Sequence, residues 1–233
     1  MKVLAIIPVY NEEKTVFSVV KDIKNNFPQI DVIVVNDGST DNTYDSAVSS
    51  GAVVLDLPFN LGIGGAMQTG YLFAWKNNYD IAIQVDGDGQ HDCLYMEKLM
   101  EPLMNGQADM VIGSRYVAKS LYKASVCRRM GMVFFSSMVR ILTGEKIKDT
   151  TSGFRAVNRK IIKLFALKYP SDYPEVNVLV KLHRYGLKII EYPVEMKQRS
   201  YRKSSITPMR SAYYLFKVSL AMFMDVIRST NIW

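Results

Sequence analysis

The feature that most constrains the fold is an alternation of two hydrophobic periods through the first half of the chain. Val3–Val9 is a continuous apolar run that ends at Tyr10-Asn11-Glu12, and Asp31–Val35 is a second that ends at Asn36-Asp37-Gly38. Between them, Val16, Val19, Val20, Ile23 and Phe27 recur at helical spacing within Glu12–Asn26. The alternation continues with a strand at Ala52–Leu57, a helix at Gly64–Asn77, a strand at Ile81–Val85, a helix at Leu94–Met104 and a strand at Asp109–Gly113. Unbroken apolar runs of strand length are buried on both faces, and helices between them imply an α/β fold with right-handed crossovers and a parallel sheet. Ligands of such sheets lie beyond the carboxyl ends of the strands. The polar clusters Tyr10-Asn11-Glu12, Asp37-Gly38 and Asp86-Gly87-Asp88 all fall at those ends.

The second half is less regular. Met130–Leu142 reads as an apolar helix, Asp149–Arg155 as a polar turn, Val176–Tyr185 as a helix and Leu187–Val194 as a closing strand. Ser39 or Thr40 is expected to cap the helix after the second strand. With 48% hydrophobic and 22% charged residues, the chain can bury a sizeable core. Residues 1–205 are expected to form a catalytic domain and 206–233 an amphipathic helix close to a membrane.

Asp86 and Asp88 carry the sharpest chemical signal. Two carboxylates on a turn with Gly87 and Gly89 suit a hard cation, Mg²⁺ or Mn²⁺, whose remaining ligands are water and phosphate. Gly62-Ile63-Gly64-Gly65 lacks dinucleotide-binding spacing and follows the third strand, so it reads as a tight loop beside a nucleotide. Asp37 is suited to accept hydrogen bonds from a base or hydroxyl. Arg115 and Arg199 are candidate phosphate clamps, because a guanidinium pairs with phosphate through two hydrogen bonds. Of the two histidines, His91 follows the acidic turn and suits a supporting role there, while His183 reads as structural.

Charge narrows the partners. The net charge is +7, and no acidic residue occurs from Arg115 to Gly144 or from Lys197 to Arg210. Such runs admit nucleic acid, an anionic membrane or a phosphorylated substrate. Single-strand binders interleave aromatic with basic residues, a pattern missing here, so no nucleic-acid partner is expected. Cys93 and Cys127 lack metal or redox spacing, which suits a reducing compartment. The apolar N-terminal run is too short for a signal peptide. Ser211–Ile227, interrupted by Lys217 and Asp225, falls short of the roughly 18–20 apolar residues of a spanning helix.

Several motifs occur in order: Pro8-Val9-Tyr10-Asn11-Glu12, Asn36-Asp37-Gly38-Ser39-Thr40-Asp41, Asn60-Leu61-Gly62, Asp86-Gly87-Asp88-Gly89-Gln90-His91, Gly113-Ser114-Arg115-Tyr116 and Asp149-Thr150-Thr151-Ser152-Gly153-Phe154-Arg155. The set resembles family 2 glycosyltransferases of the GT-A fold, in particular the dolichyl- and undecaprenyl-phosphate sugar transferases, over residues 3–205. The resemblance implies a mostly parallel central sheet flanked by helices. It implies that Pro8, Tyr10, Glu12, Val35 and Asp37 hold the base and ribose of a UDP- or GDP-linked sugar. Asp86, Gly87 and Asp88 would meet the ribose and diphosphate, with Asp86, Asp88 and Gln90 at the metal. Where relatives carry a lysine the chain has Ser205, so Arg202 or Lys203 would take its place beside Arg199.

The expected reaction is inverting transfer of the sugar to a polyprenyl phosphate at the cytoplasmic membrane face, with the protein bound peripherally. The basic stretches and the apolar circumference of Ala212–Ile227 favour that acceptor. The alternative acceptor is a saccharide of a cell-surface polysaccharide; a hydroxyl acceptor needs a base, for which Asp149 is the first candidate and Glu175 the second. Asp88, Asp149, Arg115 and Arg199 are thus the expected catalytic residues. A small separate membrane subunit and a homo-oligomer are both admitted as partners.

Overall fold

The computed structural model describes residues 1–117, 126–170 and 174–197, with the side chains of 126–130 and 174–175 outside that description. In chain order the elements are β1 (Val3–Val9), α1 (Val16–Asn26), β2 (Asp31–Asn36), α2 (Thr43–Ser49), β3 (Val53–Asp56), α3 (Gly62–Lys76) and β4 (Ile81–Gln84). They continue with α4 (Met96–Met104), β5 (Met110–Ser114), α5 (Val126–Thr143), β6 (Arg155–Asn158), α6 (Arg159–Leu167), α7 (Pro174–Arg184) and β7 (Ile189–Pro193). A 3₁₀ turn, Cys93–Tyr95, precedes α4 and splits the single helix expected over Leu94–Met104.

The seven strands form one sheet in the order β3-β2-β1-β4-β6-β5-β7. Pairs β1–β2, β1–β4, β2–β3 and β5–β7 are parallel, whereas β6 is antiparallel to both β4 and β5. One buried cluster lies on the face covered by α3 and α6, and a second on the face covered by α1 and α4. Alternation along the strands divides the two: Leu4 and Ile6 join the first, Ala5 and Ile7 the second.

Further sequence expectations are corrected, among them the tight loop expected at Gly62–Gly65, residues that instead open α3. The first helix begins at Val16, not Glu12, because Glu12's carbonyl accepts the N–H groups of Thr15 and Val16 and turns the chain there. Neither Ser39 nor Thr40 caps α2; Ser39 Oγ accepts Asn11 N–H at 3.0 Å, and Asp41 Oδ1 accepts Thr43 N–H at 3.1 Å. Arg155 does not end a polar turn but opens β6, and α6 follows at once, with Asn158 Oδ1 accepting the N–H groups of Lys160 and Ile161. Among the described residues no helix is long and apolar enough to cross a membrane, and the expected helix at 206–233 lies outside them.

Asp109 ties the far end of β5 to its neighbours. Its carboxylate accepts Lys188 N–H at 2.9 Å and the Asn158 amide at 2.7 Å, with Lys160 Nζ at 3.6 Å. Burial acts to raise its pKa above the ordinary 3.8, but these donors outweigh burial and hold it below. A depressed folded pKa gives stability that is present above the unfolded value and lost as pH falls through the folded one. Asp109→Ala is expected to lower stability by about 1–3 kcal/mol at neutral pH. The gap to the parent protein should close as pH drops below about 4, as urea denaturation at pH 7 and pH 3 would show.

Candidate active site

Strand registers bring the motifs to one edge of the sheet. Parallel pairing aligns the carboxyl ends of β1, β2 and β4. The antiparallel partners Gln84↔Arg155 and Ile112↔Arg155 place the amino end of β6 beside the carboxyl ends of β4 and β5. The 149–154 loop therefore meets the Asp86 turn there.

On the β1–β2 side, Pro8 and Val35 are cross-strand partners and both are buried, so they form the floor and present no polar side chain. Asp37 is buried; its N–H donates to Val9 O, and its Oδ1 accepts Leu61 N–H at 2.7 Å, which pins the loop before α3. Tyr10 stands exposed at the end of β1, and Glu12 N–H donates to Thr43 Oγ1 at 2.8 Å.

The Asp86–His91 turn is held mainly by side chains. Asp86 N–H donates to His91 Nδ1 at 3.0 Å, and Asp88 Oδ1 accepts Gln90 N–H at 3.0 Å. Thr15 Oγ1, at the start of α1, donates to Gly87 O at 2.7 Å and makes no capping bond to its own helix. A Cβ on Gly87 would lie 2.4 Å from Val9 Cγ1, so only glycine lets the turn close against β1. Asp86 Oδ1 accepts the Gln84 amide at 3.3 Å.

Gly153 completes this side. A Cβ there would lie 2.9 Å from both Asp86 oxygens, and its absence leaves room over that carboxylate. Hard oxygen donors of Asp86, Asp88 and Gln90 on one turn, with that space open, fit Mg²⁺ or Mn²⁺. Among the described residues no three or more His, Cys, Asp or Glu side chains gather as a metal cage. Mg²⁺ in particular is commonly held by one or two carboxylates plus substrate phosphate.

Asp149 and Arg115 come together. Arg115 Nε and Nη2 donate to Asp149 Oδ2 and Oδ1, each at 2.7 Å, and Arg115 N–H donates to Oδ2 at 3.0 Å. Thr151 Oγ1 takes a further bond from Arg115 Nη2 at 3.0 Å. Asp149 is fully buried. A carboxylate accepting three charge-assisted or backbone bonds is engaged as a pairing partner. Glu191 on β7 supports it from behind, accepting the N–H groups of Lys148 and Asp149 at 2.8 Å each.

Arg155 was missed as a site-building residue. It is 1% exposed, and its Nε and Nη2 donate to Ser152 O at 2.6 Å and Thr150 O at 3.2 Å, shaping the loop from below. Its charge also reaches Tyr71, whose hydroxyl burial pushes to a high pKa against the opposing pull of Arg155. A charged residue directly after Gly153-Phe154 and before an apolar pair was the available signal. Thr15 was likewise missed.

Arg199, Arg202 and Lys203 lie outside the described residues, as does the Glu175 side chain. The chain that leads to them is anchored at the site: Lys197 N–H donates to Gln90 O at 2.9 Å, and Met196 bridges to His91. His183 lies on α7, 3.9 Å from Glu145 and apart from the motifs.

Known proteins resemble the chain in sequence and fold. The chain is 31% identical to an undecaprenyl-phosphate mannosyltransferase of Micrococcus luteus, over 89% of this chain and 88% of that protein. It is 28% identical to a UDP-N-acetylglucosamine–dolichyl-phosphate N-acetylglucosaminyltransferase of Methanococcus voltae, over 91% and 92% respectively. The structure resembles glucosyl-3-phosphoglycerate synthase of Mycobacterium tuberculosis, solved with Mn²⁺, UDP and phosphoglyceric acid, with a TM-score of 0.75 and 22% identity over 99% of this chain and 81% of that one. That likeness fixes the fold as GT-A. The model of glycosyl transferase family 2 matches residues 4–165, and the chain belongs to that family, as a glycosyltransferase.

Proposed function

We propose that the protein transfers a sugar, with inversion, from a UDP- or GDP-linked donor to a polyprenyl phosphate at the cytoplasmic face of the membrane. The observation that carries this reading is the shared sheet edge, where the Asp86–Asp88 turn and the Arg115–Asp149 pair stand together. The relatives named for undecaprenyl- and dolichyl-phosphate transfer support the acceptor. A phosphate acceptor arrives as an anion and needs no base, which agrees with Asp149 being engaged by Arg115.

In this reading Asp37, Tyr10 and Glu12 border the nucleoside, with Pro8 and Val35 as floor. Asp86, Asp88 and Gln90 would hold Mg²⁺ or Mn²⁺, and Gly87 would let the turn approach the diphosphate. The bound cation would supply neutralisation of charge on the diphosphate. An acceptor phosphate oxygen attacks the anomeric carbon from the face opposite the diphosphate. The bond from that carbon to the diphosphate oxygen breaks, and the nucleoside diphosphate leaves with the electron pair. Arg115 faces anionic groups, with Asp149 as the positioning residue that fixes its guanidinium. Arg199, with Arg202 or Lys203, adds cationic charge from the segment that Lys197 begins.

Three outcomes test the reading. Purified protein with Mn²⁺ is expected to move sugar from one of a panel of UDP- and GDP-sugars to undecaprenyl phosphate, releasing nucleoside diphosphate, while Asp88→Ala does not. Transfer only to saccharides would sink the lipid acceptor. Gly153→Ala, which crowds Asp86, should fold normally yet lose on the order of 10²-fold in kcat/KM. Asp149→Ala, by stranding the Arg115 charge, should cost about 3–5 kcal/mol of stability in chemical denaturation.

A further inference from the structure

The Asp86–His91 turn poses a physical problem that one residue solves. It contains two glycines, Gly87 and Gly89, the latter with φ of +75°, so its backbone has little conformational preference of its own. The carboxylates it carries must nevertheless hold one orientation to be of use. Thr15 fixes Gly87 O, and the Asp88–Gln90 bond fixes the middle of the turn. What closes the turn end to end is the His91 ring, five residues from the N–H it accepts.

His91 is itself held on three sides. Its ring is buried and stacks on Phe154 at 4.7 Å between centroids with 13° between planes. Its backbone bridges to Met196. Its Nδ1 accepts Asp86 N–H at 3.0 Å, so in the neutral ring the proton must sit on Nε2. That Nε2 lies 3.5 Å from Asp86 Oδ2. One imidazole thus reads both the backbone and the side chain of Asp86, while Gln84 meets the other carboxylate oxygen at 3.3 Å.

We infer that His91 is a positioning residue for the cation and diphosphate, acting through its Nδ1 acceptor bond to Asp86 and not through its bulk. The inference rests on the reading of Asp86 and Asp88 as the cation-binding turn. Partners that orient a metal ligand contribute about 10- to 100-fold in metal affinity. Two substitutions separate the bond from the packing. His91→Phe keeps the stack on Phe154 and removes the acceptor. His91→Asn gives up the stack and keeps an acceptor oxygen near the place of Nδ1.

The test is Mn²⁺ binding in the presence of UDP or GDP, followed by the paramagnetic resonance of free Mn²⁺, alongside nucleotide binding without Mn²⁺. His91→Phe is expected to weaken Mn²⁺ binding by about 10- to 100-fold, with metal-free nucleotide binding changed far less, and His91→Asn to recover a large part of the loss. Equal losses in the two variants, or the reverse ranking, would overturn the inference. If His91→Phe does not fold, His91→Asn decides alone: affinity close to the parent supports the role, and a loss as deep as that of Asp88→Ala overturns it. Should the parent protein bind Mn²⁺ no better than Asp88→Ala, the cation-site reading itself fails, and the inference falls with it.

Discussion

The arrangement of the site depends on β6 running antiparallel between β4 and β5. A purely parallel sheet would send the chain before β6 to the opposite edge, away from the Asp86 turn. The reversed strand instead delivers the 149–154 loop directly to the carboxyl ends of β4 and β5. Arg155 opens that strand with a buried guanidinium, whose bonds to Ser152 O and Thr150 O replace the ladder that a loop lacks. Burying a cation is costly unless hydrogen bonds compensate. Here that cost is met by groups that also need donors, since carbonyls in a buried loop cannot be left unpaired.

Around this strand, acidic residues have different employments that sequence alone could not sort. Asp37 pins a loop, Asp109 joins strands, Asp149 holds Arg115, and Glu191 holds the backbone under Asp149. Asp86, by contrast, sits on a turn beside the space that Gly153 leaves open. The distinction lies in what surrounds each carboxylate: groups saturated by internal donors build the scaffold.

Much of the first half was legible because a buried parallel strand writes itself as an unbroken apolar run. β1 was read to its true ends, and β2 and β4 to within a residue. The convergence of Tyr10-Asn11-Glu12, Asp37 and Asp86 followed from the rule for strand ends. The second half was harder to read for physical reasons. β6 has four residues, starts with arginine and runs straight into α6, so neither period has room to establish itself. Thr15 went unnoticed in the sequence because its hydroxyl serves Gly87, a partner 72 positions away. Pairings at that separation leave no local trace. Asp149 stood as the first candidate base for a hydroxyl acceptor, since a lone aspartate in a polar turn carries no sign of the arginine 34 positions earlier that engages it.

The Arg115–Asp149 pair also bears on the choice of acceptor. A transferase that deprotonates a hydroxyl needs a carboxylate exposed to its substrate, with an oxygen free to reach the proton. An enzyme acting on a phosphate needs the reverse, a guanidinium whose orientation is fixed before the anion arrives. Rigid support is what makes such a cation effective, since an arginine left to its own rotamers would lose entropy on each binding event. Asp149 supplies that support from a fully buried position, and Glu191 in turn fixes Asp149 through the backbone. Two carboxylates spent on holding one guanidinium suit a site built to receive anions better than one built to remove protons.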